Sequence, residues 1–164
     1  MKNQLSSAVL IIMLGVLACS KPPEYAPEPR IEFLGFNKEL IHQGIQGNPL
    51  DTLAISFSFE DGDGDIGSED AVDVFLTDSR TGFQERFLLP IFEDDAAEVG
   101  ISGTITLKLP NNIYLCCIYP NTTDACFRNP EYPRDSFSYR IQIMDRAGNV
   151  SNTITTDRLT LICD

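Results

Sequence analysis

The densest chemistry in this 164-residue chain lies between Glu60 and Asp73, where seven carboxylates occur without one basic residue. Asp61, Asp63 and Asp65 alternate with Gly62 and Gly64. That spacing lets a loop bend around a hard cation and present several oxygens to it. The segment opens like an EF-hand loop and then departs from it. Ile66 stands where that loop needs glycine, Val72 stands where it needs a bidentate glutamate, and a strand pattern precedes it. An EF-hand is therefore excluded. Asp and Gly also build ordinary solvated turns, but seven crowded carboxylates repel one another, and a cation relieves that repulsion. The segment Asp145-Arg146-Ala147-Gly148-Asn149 offers a further carboxylate and an amide oxygen. It reads equally as a hairpin turn, with Gly and Asn at positive φ and Arg146 as a built-in counter-charge. Asp61, Asp63, Asp65, Asp145 and Asn149 are thus the candidate metal ligands. Calcium is the expected ion, with backbone carbonyls and water completing its six to eight oxygens.

The cysteines are the second reactive set. Cys116, Cys117, Cys126 and Cys163 form an even number once Cys19 is set aside, which in an exported chain predicts two disulfides. Bonding Cys116 to Cys117 is excluded, because adjacent Cα atoms lie about 3.8 Å apart, too close for normal disulfide geometry. Two pairings remain. Cys117–Cys126 with Cys116–Cys163 is preferred over Cys116–Cys126 with Cys117–Cys163. A catalytic thiol would need a base, and the chain's one histidine, His42, is remote in sequence. A zinc site is disfavoured because adjacent cysteines lack the usual gap between ligands. Glycoside hydrolysis would need two carboxylates facing each other across a bound sugar, and no apolar setting surrounds those of the acidic loop. The chain is read as non-catalytic.

Residues 1–18 read as an address. Lys2 is followed by the apolar stretch Ala8–Ala18 and then by Cys19. One positive charge, a short apolar run and a small residue before the processing point describe a secretory leader. The run is shorter than the roughly 20 residues that cross a bilayer. Residues 19–29 contain four prolines, which exclude helix and hold the chain extended. At about 3.1 Å per residue, this tether spans roughly 30 Å. Residues 30–164 are the folded domain.

The elements that must position the acidic loops and the cysteines are strands. Leu53–Phe59 and Phe137–Ile143 alternate apolar with polar or small residues, the pattern of a strand with one buried face. Weaker strand patterns cover Ile31–Phe36, Val72–Thr77, Glu85–Leu89, Ile101–Leu109 and Thr153–Ile162. Lys38–Gln43 is too short for a helix and runs into Gly44, Gly47 and Pro49. About seven short strands predict an all-β fold, an immunoglobulin-like antiparallel β-sandwich, with other antiparallel sandwiches and a small barrel as the alternatives. Consecutive strands run in opposite directions. The loops 60–71 and 145–150 therefore share one end, while the connection 110–136 and the C-terminal residues share the other. A hydrophobic content of 43% supports a packed core. The net charge of −12 argues against nucleic acid as a partner.

Val16-Leu17-Ala18-Cys19 resembles the lipobox of bacterial lipoproteins, in which the cysteine is lipidated and becomes the first mature residue. With the Pro-rich tether, the strand ending in Phe59-Glu60-Asp61-Gly62-Asp63-Gly64-Asp65-Ile66-Gly67 and the turn Met144–Asn149, the chain resembles small Bacteroidetes-type envelope lipoproteins carrying an immunoglobulin-like or cadherin-like domain. The resemblance implies lipidation at Cys19 and anchoring to the outer membrane, with the periplasmic and surface sides both open. It also implies a binding or structural module whose partner is an envelope protein or a glycan. Asp51-Thr52-Leu53 fits the short O-glycosylation sequence of such bacteria. The alternative reading is a surface carbohydrate-binding accessory lipoprotein. With no tryptophan in the chain, Tyr114, Tyr119 and Tyr132 would have to form its sugar platform; packing of the loop against the core is their ordinary role.

Overall fold

The computed structural model describes residues 24–92, 100–121 and 126–163. Their elements follow in chain order as β1 (Arg30–Phe36), β2 (Leu40–His42), β3 (Thr52–Asp61), β4 (Val74–Asp78), β5 (Gln84–Phe87), β6 (Ile101–Pro110), a four-residue helix α1 (Asn111–Tyr114), β7 (Arg134–Phe137), β8 (Tyr139–Ile143), β9 (Ile154–Thr155) and β10 (Leu159–Ile162). The fold is all-β and sandwich-like. One sheet has the order β1-β3-β6, the second β5-β4-β8-β9 and the third β2-β10-β7.

β3 shows how the sequence makes this core. Leu53, Ile55, Phe57 and Phe59 are buried while the residues between them are half-buried. A period of two puts alternate side chains on opposite faces of a strand, so one face carries the apolar set. β8 contributes Tyr139, Ile141 and Ile143 from the facing sheet, and Ile105, Leu107 and Leu109 of β6 join the same cluster. Each of these aliphatic side chains stabilises the fold by about 1.5–3 kcal/mol when fully buried.

Two of the expected strands are each divided. Phe137–Ile143 breaks at Ser138, whose N–H donates to Ser79 Oγ while its carbonyl accepts from Ser79 N, both at 3.0 Å. Thr153–Ile162 breaks at Thr156, whose hydroxyl oxygen accepts from Tyr139 N at 2.9 Å. At both breaks the chain changes sheets: β8 and β9 pair in one, β7 and β10 in another. Lys38–Gln43, too short for a helix, contains β2, which runs parallel to β10. That pairing is an exception to the antiparallel expectation.

The loops fall at the expected ends. Arg146 N donates to Asp65 O, joining the two acidic loops, and Cys163 N donates to Pro133 O at the other end. The Pro-rich segment does not remain free up to the domain. Pro29 is buried, Tyr25 Oη donates to Ser102 Oγ at 3.2 Å, and Ala26 O accepts from Gly62 N at 2.8 Å. Among the described residues no helix is long and apolar enough to cross a membrane. Residues 1–23, with the leader and Cys19, lie outside the described part.

Candidate metal centre

Asp61 is buried because it continues the inward alternation of β3 one step past Phe59. Asp145 does the same for β8, following Ile141 and Ile143, and it is 3% exposed. The two strands that carry the core from opposite sheets thus each end in an inward carboxylate at the same end of the fold. Asp63 and Asp65 complete the group. Ligand oxygens of Asp61, Asp63, Asp65 and Asp145 all lie within 4.8 Å of one another. A group of this kind can hold a metal ion.

The loop owes its shape to a few specific contacts. Asp61 Oδ2 accepts from Asp65 N at 2.9 Å, closing a tight turn in which Gly64 takes φ +68°. Ile66 is completely buried and pins the loop to the core, which explains an aliphatic residue where an EF-hand has glycine. Asp65 Oδ2 accepts from Ala147 N at 2.9 Å, tying the two loops together. Asp145 Oδ1 and Oδ2 accept from Asn149 N and Nδ2 at 2.7 and 2.8 Å. Asn149 therefore orients Asp145. Arg146 Nη1 donates to Gly67 O at 3.0 Å, and its positive charge draws the Asp65 and Asp73 carboxyls downward against their burial.

Two oxygens are left over. Asp61 Oδ1 and Asp65 Oδ1 are buried and accept no hydrogen bond, in a class of atoms that nearly always finds a partner. Burial, then the negative charges of Asp63, Asp65 and Asp145, pushes the Asp61 carboxyl up to about 6, against the pull of its bond from Asp65 N. Burial and the charges of Asp145 and Asp63 also raise the Asp65 carboxyl. Asp61 and Asp65 therefore compete for protons more strongly than free carboxyls do, and a cation binding there competes with those protons.

Asp73, counted in the sequence only as one more acidic residue, has a structural role. It is 1% exposed, and its Oδ2 accepts from Leu89 N at 2.8 Å. Sequence reasoning missed Arg80 altogether. Its guanidinium pairs with Asp78 and Asp135 and donates to Cys116 O. One arginine among turn residues leaves no periodic signal.

The disulfides are Cys116–Cys126 and Cys117–Cys163, which corrects the preferred pairing to its alternative. Residues 115–119 alternate like a strand: Leu115, Cys117 and Tyr119 are buried, while Cys116 and Ile118 are half-buried. Cys117 therefore meets the buried Cys163, and Cys116 meets the exposed Cys126. Gln43, itself fully buried, accepts from Cys117 N and donates to Cys163 O, bracing the inner bond. The three tyrosines do not share an exposed platform. Tyr119 is 3% exposed and donates to Phe127 O, Tyr114 packs on Phe87, and Tyr132 alone is exposed.

No protein-family model matches the chain, and comparison with curated proteins likewise finds no match.

Proposed function

We propose that this chain is a lipid-anchored, non-catalytic binding or structural module of the cell envelope, with an immunoglobulin-like sandwich stabilised by calcium. The observation that carries the calcium reading is the pair of buried, unpartnered oxygens, Asp61 Oδ1 and Asp65 Oδ1, inside a group of four aspartates. Oxygen-only donors suit a hard cation. The mixture of buried Asp61 and Asp145 with exposed Asp63 suits the larger, adaptable shell of calcium better than the strict octahedron of magnesium. All four described cysteines are committed to disulfides, which supports a structural rather than nucleophilic role for them. The lipobox-like Val16–Cys19 supports anchoring, and the partner is read as an envelope protein or a glycan.

Calorimetry and thermal unfolding test the ion. Calcium at a hundredfold excess over its dissociation constant stabilises the fold by about 2.7 kcal/mol. The melting temperature rises with calcium, falls back with chelator and responds less to magnesium, and Asp63→Asn blunts the response. Calcium without heat of binding and without effect on melting refutes the reading.

A further inference from the structure

The same loop that carries the carboxylates holds the end of the membrane tether. Gly62 lies between Asp61 and Asp63, and its N–H donates to Ala26 O at 2.8 Å. The contact is so close that a Cβ on Gly62 would lie 2.5 Å from Tyr25 O and 2.6 Å from Ala26 O. The Tyr25 ring lies against Gly100, where a Cβ would stand 3.0 Å from Tyr25 Cδ2 and 2.7 Å from Asp61 O. Tyr25 Oη reaches Ser102 Oγ, on the strand residue paired with Glu60. The backbone on either side of two candidate ligands is therefore the surface on which the tether rests.

We infer that the acidic end of the domain is a docking surface for the chain's own tether, and that a divalent cation in the Asp61–Asp63–Asp65–Asp145 group locks the tether there. The inference rests on the calcium reading above. Without a cation, repulsion among the carboxylates opposes the closed loop that presents the Gly62 N–H. With one, the loop is fixed and Ala26 O keeps its donor. Locked, the docked residues 25–29 add nothing to the span between anchor and domain; released, they lengthen it by about 3.1 Å each where extended. Cation binding thus sets how far the domain stands from its anchor.

Linkage makes the test two-sided: if calcium favours docking by some factor, docking favours calcium by the same factor. In the purified full chain, saturating calcium should slow exchange of the Gly62 amide and slow cleavage after Glu24 by a glutamate-specific protease. Gly62→Ala, whose Cβ displaces the tether, should weaken calcium binding about fivefold or more. Tyr25→Ala, outside the acidic loop, should weaken it in the same direction, and in both variants cleavage after Glu24 should become insensitive to calcium. Calcium that binds while the cleavage rate, the Gly62 exchange and the affinity of Tyr25→Ala all stay unchanged overturns the lock and leaves the metal reading standing. No calcium binding to the unmodified chain overturns both.

Discussion

The guanidinium of Arg80 lies over the ring of Phe137, its carbon 3.7 Å from the ring centroid. Asp78 and Asp135 both pair with the same group, and only 13% of the arginine side chain is exposed. Burial works against its charge, and the two carboxylates outweigh that cost. Asp135 Oδ2 also accepts from Ile118 N, so the pair anchors the disulfide-bearing connection. Removing one partner of such a pair leaves uncompensated charge, so Arg80→Ala should lower unfolding free energy by about 3–5 kcal/mol in urea titration. Arg80→Lys should recover only part of this, because an ammonium cannot reproduce the planar fork.

Stability of the metal-free protein should fall as pH rises through the range of the Asp61 carboxyl. Its value goes from 3.8 to about 6 on folding, so between these values the folded state binds more protons than the unfolded one. Stability then decreases with pH until Asp61 is ionised in both states. Asp65 and Asp73 are raised too and act in the same direction. Melting temperatures in chelator should therefore drop from pH 4 to above pH 6, and Asp61→Asn should flatten that drop. In saturating calcium the trend should reverse across the same interval, because the ion competes with protons for the carboxylates.

The two disulfides should differ in worth. Cys117–Cys163 spans 46 residues and Cys116–Cys126 spans 10. Chain entropy gives about 4 kcal/mol for the long loop and about 2.7 kcal/mol for the short one. Cys163→Ala should therefore destabilise more than Cys126→Ala in denaturant melts. Thiol labelling checks the pairing: Cys117→Ser should free Cys163, and Cys116→Ser should free Cys126. Exchange of those two outcomes would restore the rejected pairing.

Lipidation predicts that the protein partitions into detergent and membrane fractions and that Cys19→Ser releases it. Several acyl chains anchor stably where a single chain does not. A wild-type chain recovered soluble and unlipidated from its native envelope contradicts the anchor.

Leu53–Phe59 and Phe137–Ile143 announce their buried faces because a period of two in hydrophobicity survives any detail of pairing. For the same reason the break at Ser138 is invisible in sequence: Phe137 and Tyr139 both point into the core although their strands belong to different sheets. β2 is three residues long with one fully buried aliphatic, Ile41, too little for a pattern. The proximity of Asp145 to Asp61 follows from strand direction alone. Their burial was also readable, by counting two residues on from Phe59 and from Ile143. The cysteine pairing was not, because Tyr114–Tyr119 is apolar throughout and periodicity vanishes when every position is alike.

The parallel pairing of β2 with β10 also carries a cost in loop closure. Residues 40–42 find their neighbour only when residues 160–162 arrive, and β7 waits for the same strand. The β1-β3-β6 sheet has all its strands once residue 110 is available. Contacts this distant in sequence form slowly, since a long loop must close before they reward it. β7 and β10 pair across a shorter stretch of chain than β3 and β6 do. Within that sheet it is the β2 edge alone that has to wait for the chain's two ends to meet.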